Sequence, residues 1–170
     1  MARTDGMNTD RMAETAPNES GLRILAFCCQ FCAYAAADLA GGLRMQYPEE
    51  VRIVEIPCSG RMDPLLALQA LEDGVDGVMV AGCMPGDCHF LEGNYNARRR
   101  VTYLQGILKE VGLEPDRVQM FNMSASMAGQ FVAAVNTMCE RIRALGPNPL
   151  RAAPQPPKAP LETDESGGTR

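Results

Sequence analysis

Apolar residues along this chain fall into two alternating kinds of run. Leu22–Phe27, Val51–Ile56, Gly77–Ala81 and Arg117–Phe121 are short and bounded by turn or polar residues, as buried strands are. Between them lie longer stretches that read as helices. Ala33–Gln46 is rich in alanine, which suits a helix lying close to a sheet, and Gly41-Gly42 weakens its end by about 1 kcal/mol per glycine relative to alanine. Asp63-Pro64 reads as an N-cap followed by proline at the first helical position, opening a helix that runs to Glu72 and stops at Gly74. In Tyr95–Val111 the residues Val101, Leu104, Leu108 and Val111 recur at helical spacing, and Gly112 closes the element. The last helix starts near Ser124 or Ser126. It carries Phe131, Val135, Met138, Ile142 and Leu145 on one face and ends at Gly146-Pro147.

Four successive β–α units imply a parallel sheet with helices on both faces. Right-handed crossovers limit the topologies. The predicted fold is therefore α/β: a doubly wound four-stranded parallel sheet in the order 2-1-3-4. Its switch point lies between strands 1 and 3, where ligands sit outside the carboxyl ends of the strands. This domain spans residues 21–146. Residues 1–20 are polar and aperiodic, and residues 147–170 are rich in proline. Both are expected to be disordered tails.

Composition narrows the function classes. A chain of 170 residues is long enough for one domain with a core. The net charge of −5 argues against nucleic-acid binding. No apolar run approaches the roughly 20 residues that span a bilayer, so no membrane insertion is expected. The N-terminus lacks the apolar stretch of a signal peptide, which predicts a cytoplasmic location. In a reducing compartment seven cysteines point to metal binding or redox chemistry rather than to a disulfide framework.

Six of those cysteines stand at the ends of three predicted strands. Cys28, Cys29 and Cys32 follow the first, Cys58 the second, Cys83 and Cys88 the third. In a parallel sheet these ends share one edge. With strand 1 between them, the tips of strands 2 and 3 lie about 10 Å apart. A small metal centre closes such a gap, whereas one disulfide uses only two of the six thiols. The C-x2-C spacing of Cys29/Cys32 and the C-x4-C spacing of Cys83/Cys88 are common in 2Fe–2S sites. Gly60, Gly82 and Gly86 let backbone N–H groups approach sulfur. His89 is the only histidine, which excludes a Rieske centre. Two alternatives stay open. Structural zinc also takes four cysteines and would make the domain a zinc-stabilised interaction module. Cys29-x-x-Cys32 between a strand and a helix also fits a thiol–disulfide oxidoreductase, though that leaves Cys58, Cys83 and Cys88 unexplained. No Gly-x-Gly-x-x-Gly follows the first strand, so a nicotinamide or flavin site is not expected.

Other chemistry-bearing residues have plainer readings beside the sharper ones. Cys139, beside the apolar stripe of the last helix, is expected in the core. Arg98-Arg99-Arg100 is either a solvated helix face or a dock for an acidic partner. His89 is a sulfur hydrogen-bond donor, a partner contact or a loop cap.

Several ordered motifs together resemble a known family. They are Ala26-Phe27-Cys28-Cys29-x-x-Cys32, Ala37-Asp38-Leu39-Ala40-Gly41, Arg44-Met45-Gln46-Tyr47-Pro48, Cys58-Ser59-Gly60-Arg61, Asp76-Gly77-Val78, Gly82-Cys83-x-x-Gly86-Asp87-Cys88-His89 and Glu92-Gly93-Asn94-Tyr95. Across roughly Leu22–Pro147 the chain resembles the small iron–sulfur (delta) subunit of methyl-viologen-reducing nickel–iron hydrogenase. The resemblance implies a non-catalytic electron carrier with a 2Fe–2S cluster. It would relay electrons between a hydrogenase or formate dehydrogenase and the flavoprotein subunit of a heterodisulfide-reductase-like complex. Carried over, the candidate ligands are Cys28, Cys29, Cys32, Cys58, Cys83 and Cys88, four of which would bind iron. Two positions depart from the family pattern: Met84 stands where histidine is expected and Met127 where glutamate is expected.

Overall fold

β1 (Ile24–Cys29), β2 (Val51–Ile56), β3 (Gly77–Gly82) and β4 (Val118–Asn122) pair entirely in parallel, in the order β2-β1-β3-β4. This is the predicted doubly wound arrangement. The computed structural model describes residues 21–152, so the expectations for residues 1–20 and 153–170 lie outside the described residues. Strand alternation splits the core in two. Ile24, Ala26, Cys28, Met79 and Ala81 face α1 (Ala35–Gly42) and α4 (Ala128–Leu145). Phe27, Val78, Val80 and Val118 face α2 (Pro64–Glu72) and α3 (Gly93–Glu110).

Each helix forms for a reason visible in its residues. Asp63 caps α2 by accepting the Leu65 N–H at 2.9 Å. Ala36, Ala37 and Ala40 are buried, so α1 lies close against its neighbours. Val101, Leu104 and Leu108 of α3 are buried, each worth about 1.5–3 kcal/mol of apolar burial. Val111, which the helical spacing assigns to the same stripe, lies past the helix end and is exposed.

The structure corrects several boundaries. β1 runs on through Cys28 and Cys29, which pair with Glu55 and Ile56 of β2. The helix expected from Ala33 opens instead with a wide π-type turn, Gln30–Tyr34, and α1 ends at Gly42 rather than Gln46. Neither Ser124 nor Ser126 caps α4. Their hydroxyls lie 3.2 Å from each other, and the helix starts at Ala128. The packed chain also extends past Gly146, the expected domain end. Asn148 is buried, its amide donating to Leu71 O and Val75 O at 2.7 Å each, and Pro149–Ala152 form a 3-10 turn. The Asn148 N–H donates to Asp76, and so does Arg151. The buried Arg117 guanidinium donates to Asp76 O, Gly146 O and Pro147 O. Polar partners thus tie the amino edge of the sheet together, and the carboxyl edge carries the cysteines. Among the described residues no helix is long and apolar enough to cross a membrane.

Candidate metal centre

Three thiols meet where β1 and β3 end. Cys29 is the last residue of β1, the π-type turn brings Cys32 back over it, and Cys83 directly follows β3. Their sulfurs lie within 4.8 Å of one another, and Cys29 Sγ stands 3.8 Å from Cys83 Sγ. All three side chains are buried. Further polar contacts are long: Cys29 Sγ is 3.9 Å from Pro57 O, and Cys32 Sγ is 4.0 Å from Cys29 O.

Cys58 and Cys88 form a second group against the start of α3. A Cβ placed on Gly93 would fall 2.2 Å from Cys58 Sγ and 3.1 Å from Cys88 Sγ. A Cβ on Gly60 would fall 2.7 Å from Gly93 Cα. Both glycines are therefore places where only a bare backbone fits: the two sulfurs occupy the room at Gly93, and the Gly93 backbone occupies it at Gly60. Cys58 interacts electrostatically with both Cys88 and Cys29, which joins this pair to the first three thiols.

Cys28 and Cys139 belong to neither of these groups. Cys28 points into the α1/α4 core, and burial followed by the neighbouring Cys29 charge pushes its thiol up to about 12. Cys139 is a core residue of α4, as expected, and burial followed by the Glu50 charge pushes it up to about 11. Of the six candidates, the structure groups Cys29, Cys32 and Cys83, packs Cys58 and Cys88 together against Gly93, and sets Cys28 next to Cys29 on the α1/α4 side of the sheet.

The five thiols differ in how readily they ionise: Cys29 and Cys88 are lowered, and Cys32, Cys58 and Cys83 are raised. A hydrogen bond from Cys32 holds the Cys29 thiolate down at about 5 against burial, helped by the backbone N–H groups of Phe31 and Ser59 and by Cys83. Cys32 is raised in return, by that same bond and by burial. Burial raises Cys58 and Cys83, although the Gly60 N–H opposes it at Cys58, and Cys32 and the His89 N–H oppose it at Cys83. At Cys88 burial also pushes upward, but the N–H groups of Asn94, Phe90 and Gly93 with the Cys58 thiol outweigh it, and the thiol is lowered. Two of those N–H groups belong to the first turn of α3, where the helix dipole favours negative charge.

Side chains around the loops hold this geometry. Asn94, buried, donates its amide to Cys83 O and Met84 O at 3.2 and 2.7 Å. Asn122 donates to Cys83 O at 2.6 Å and accepts from Arg98. Arg100 donates to Gly60 O and to Met62 O, bracing the Cys58 loop. Two members of the arginine run thus serve their own fold, a role that charge patterning alone does not reveal. His89 stacks on Phe31 with ring centroids 4.0 Å apart, and Phe90 meets both rings edge-on. A pocket of about 280 Å³ lies beside Cys32 and Cys83, lined partly by Met84, Asp87 and His89. Another, of about 470 Å³, lies beside Cys58 and Phe90.

The residues present fit an iron–sulfur group. The five donors are all sulfur, with no carboxylate or imidazole among them. Peptide N–H groups surround them, and one buried hydroxyl, Ser59 Oγ, has no protein partner.

Comparison with known proteins agrees with this chemistry. The family described as "FlpD: Methyl-viologen-reducing hydrogenase, delta subunit" matches residues 24–146. The chain is 51% identical over 129 residues to the vhu iron-sulfur subunit of the F420-non-reducing hydrogenase of Methanocaldococcus jannaschii, covering 76% of this chain and 96% of that protein. It is 48% identical over 124 residues to the vhu iron-sulfur subunit of the F420-non-reducing hydrogenase of Methanopyrus kandleri, covering 73% and 94%. It is also 38% identical over 135 residues to one subunit of the ferredoxin:CoB-CoM heterodisulfide reductase of Methanosarcina mazei, covering 79% of this chain but 17% of that protein. The match spans the whole sheet and every grouped thiol, and the chain belongs to the family of the methyl-viologen-reducing hydrogenase delta subunit.

Proposed function

We propose that this chain is a non-catalytic electron-transfer subunit that carries a 2Fe–2S cluster at the carboxyl edge of its sheet. The observation that carries the reading is the meeting of Cys29, Cys32 and Cys83 within 4.8 Å, with Cys58 and Cys88 packed together beside them. Four of these five thiols bind the iron, and Cys28 does not. A bound cluster supplies one-electron carriage. The protein provides soft donors, N–H groups that stabilise negative sulfur, and a buried setting. Its electron donor is a hydrogenase or formate dehydrogenase, and its acceptor is the flavoprotein subunit of a heterodisulfide-reductase-like complex. The relative in which a matching segment forms part of a heterodisulfide reductase chain supports that pairing. The exchange takes place in the cytoplasm.

The test is anaerobic purification, with iron and zinc counted on the sample used for visible and low-temperature EPR spectra. About two irons per chain and an EPR signal after reduction are expected. A colourless chain that stays iron-free after reconstitution refutes the reading, and one zinc in its place points to an interaction module. A second reading has its own observation: the Cys29 and Cys32 sulfurs lie within 4.8 Å of each other where a strand passes into a helical turn, as the two thiols of a C-x-x-C dithiol do. It predicts a metal-free protein whose Cys29 and Cys32 form a reversible disulfide.

A further inference from the structure

Ser59 is fully buried, yet its hydroxyl has no hydrogen-bond partner among the described residues. A buried hydroxyl left unpaired costs about 1–3 kcal/mol, which an alanine at the same place avoids. The structure also makes room for this oxygen. A Cβ on Gly82, the residue before Cys83, would fall 2.7 Å from Ser59 Oγ and 3.1 Å from Ser59 Cβ. The neighbours of the hydroxyl belong to the thiol site. The Ser59 N–H faces Cys29, Cys58 precedes it, and the next N–H, of Gly60, faces Cys58. A polar atom is thus enclosed among the elements that deliver Cys29, Cys58 and Cys83, with no protein group to satisfy it.

We propose that the Ser59 Oγ–H donates a hydrogen bond to a sulfur of the bound cluster and raises its reduction potential. The inference rests on the cluster reading above and adds a residue to it that ligates nothing. One-electron reduction places more negative charge on the sulfurs. A fixed O–H donor therefore stabilises the reduced state more than the oxidised one, and the electron is accepted more readily. Ser59 acts as a positioning residue that tunes the potential, and Gly82 keeps its place open.

The experiment compares the full chain with its Ser59→Ala variant, both loaded anaerobically with iron and sulfide. Each is titrated with dithionite against redox mediators while the EPR signal is followed. The variant is expected to keep its iron and to lose about tenfold in the equilibrium for one-electron reduction, a fall of about 59 mV. In deuterated buffer, pulsed EPR of the reduced wild type is expected to show an exchangeable deuteron coupled to the cluster that Ser59→Ala lacks. An unchanged potential together with an unchanged deuteron coupling, in a variant that holds its iron, overturns the inference and leaves the cluster reading standing. Should Ser59→Ala hold no iron, Ser59→Thr decides. Iron retained near the wild-type potential supports the hydroxyl, and iron lost in both variants makes position 59 a packing position and overturns the inference. A wild-type chain that takes up no iron overturns both readings together.

Discussion

Gly93 is the sharpest steric test of where the sulfurs lie. Its missing Cβ would stand 2.2 Å from Cys58 Sγ and 3.1 Å from Cys88 Sγ. Heavy atoms in ordinary contact sit about 3.5–4.0 Å apart, so Gly93→Ala forces a shift of more than an ångström on Cys58 or on the start of α3. Neither yields cheaply. Arg100 braces the Cys58 loop, and the bare backbones of Gly60 and Gly93 already touch. Overpacking of this kind costs about 1–3 kcal/mol. Gly93 is the first residue of α3, where alanine returns little of its helix propensity, so the net loss stays at about 1–3 kcal/mol. Gly106, in the same helix, supplies the contrast: nothing lies within 4 Å of its added Cβ. Gly106→Ala should stabilise the protein by about 0.5–1 kcal/mol. The assay is urea denaturation of the metal-free chain at fixed pH, with iron uptake measured on the same preparations. Gly93→Ala should unfold earlier and load less iron, and Gly106→Ala should unfold later and load normally. Equal stability and equal iron for the two variants refutes the placement of Cys58 and Cys88 against Gly93.

The cysteines themselves divide by burial environment. Cys83→Ser should abolish the visible spectrum of the reconstituted protein, whereas Cys28→Ser should keep iron and spectrum while losing about 1–3 kcal/mol from an unpaired hydroxyl in the α1/α4 core. Iron loss from a folded Cys28→Ser protein places Cys28 among the donors and refutes the partition. Metal-free stability should depend on pH with a definite sign. Cys29 is held near 5 in the folded chain against an ordinary 9.0, so between those values the unfolded chain binds a proton that the folded chain lacks. Stability should therefore rise from pH 5 to 9 and be lost as pH falls through 5. Cys28, raised to about 12, keeps a proton that the unfolded chain releases, so stability should fall again above pH 9. Urea midpoints across that range, under reductant, check both limbs. A flat or falling profile between pH 5 and 9 refutes the account of Cys29.

The sheet was legible because its strands are short, apolar and separated by residues that stop helices and turns in known ways. Alternation of β and α patterns predicts order 2-1-3-4, and the order places five of the six thiols where they are found. At Cys28 the end of the strand was not legible. The change from Phe27 to Cys28 looks like the end of an apolar run, but thiols are apolar enough to continue a strand. β1 therefore carries on to Cys29, and alternation turns Cys28 into the α1/α4 core. The proline-rich segment after Gly146 misleads for a different reason. Its composition resembles a tail, yet Asn148 and Arg151 find carbonyl and carboxylate partners around Asp76, far away in sequence. Long-range polar pairs of this sort leave no periodic trace. The roles of Asn94, Asn122 and Arg100 were hidden in the same way, since each acts on a carbonyl supplied by another element.

Those three side chains share one physical task. A loop that wraps negative sulfur gains by presenting N–H groups to it and by turning carbonyl oxygens elsewhere, because a carbonyl dipole aimed at a thiolate repels it. Pro57 O and Cys29 O, 3.9 and 4.0 Å from Cys29 Sγ and Cys32 Sγ, are the exceptions. Asn94 and Asn122 tie Cys83 O and Met84 O, and Arg100 ties Gly60 O and Met62 O. With those carbonyls bound, the N–H groups of Ser59, Gly60, His89, Phe90, Gly93 and Asn94 are left facing Cys29, Cys58, Cys83 and Cys88. Carbonyl-binding side chains thus set the polarity of the site from behind, at positions that hold no metal themselves. In the proposed site a ligand cysteine would fix where an iron sits, whereas Arg100 and the two asparagines hold the loop carbonyls away from it.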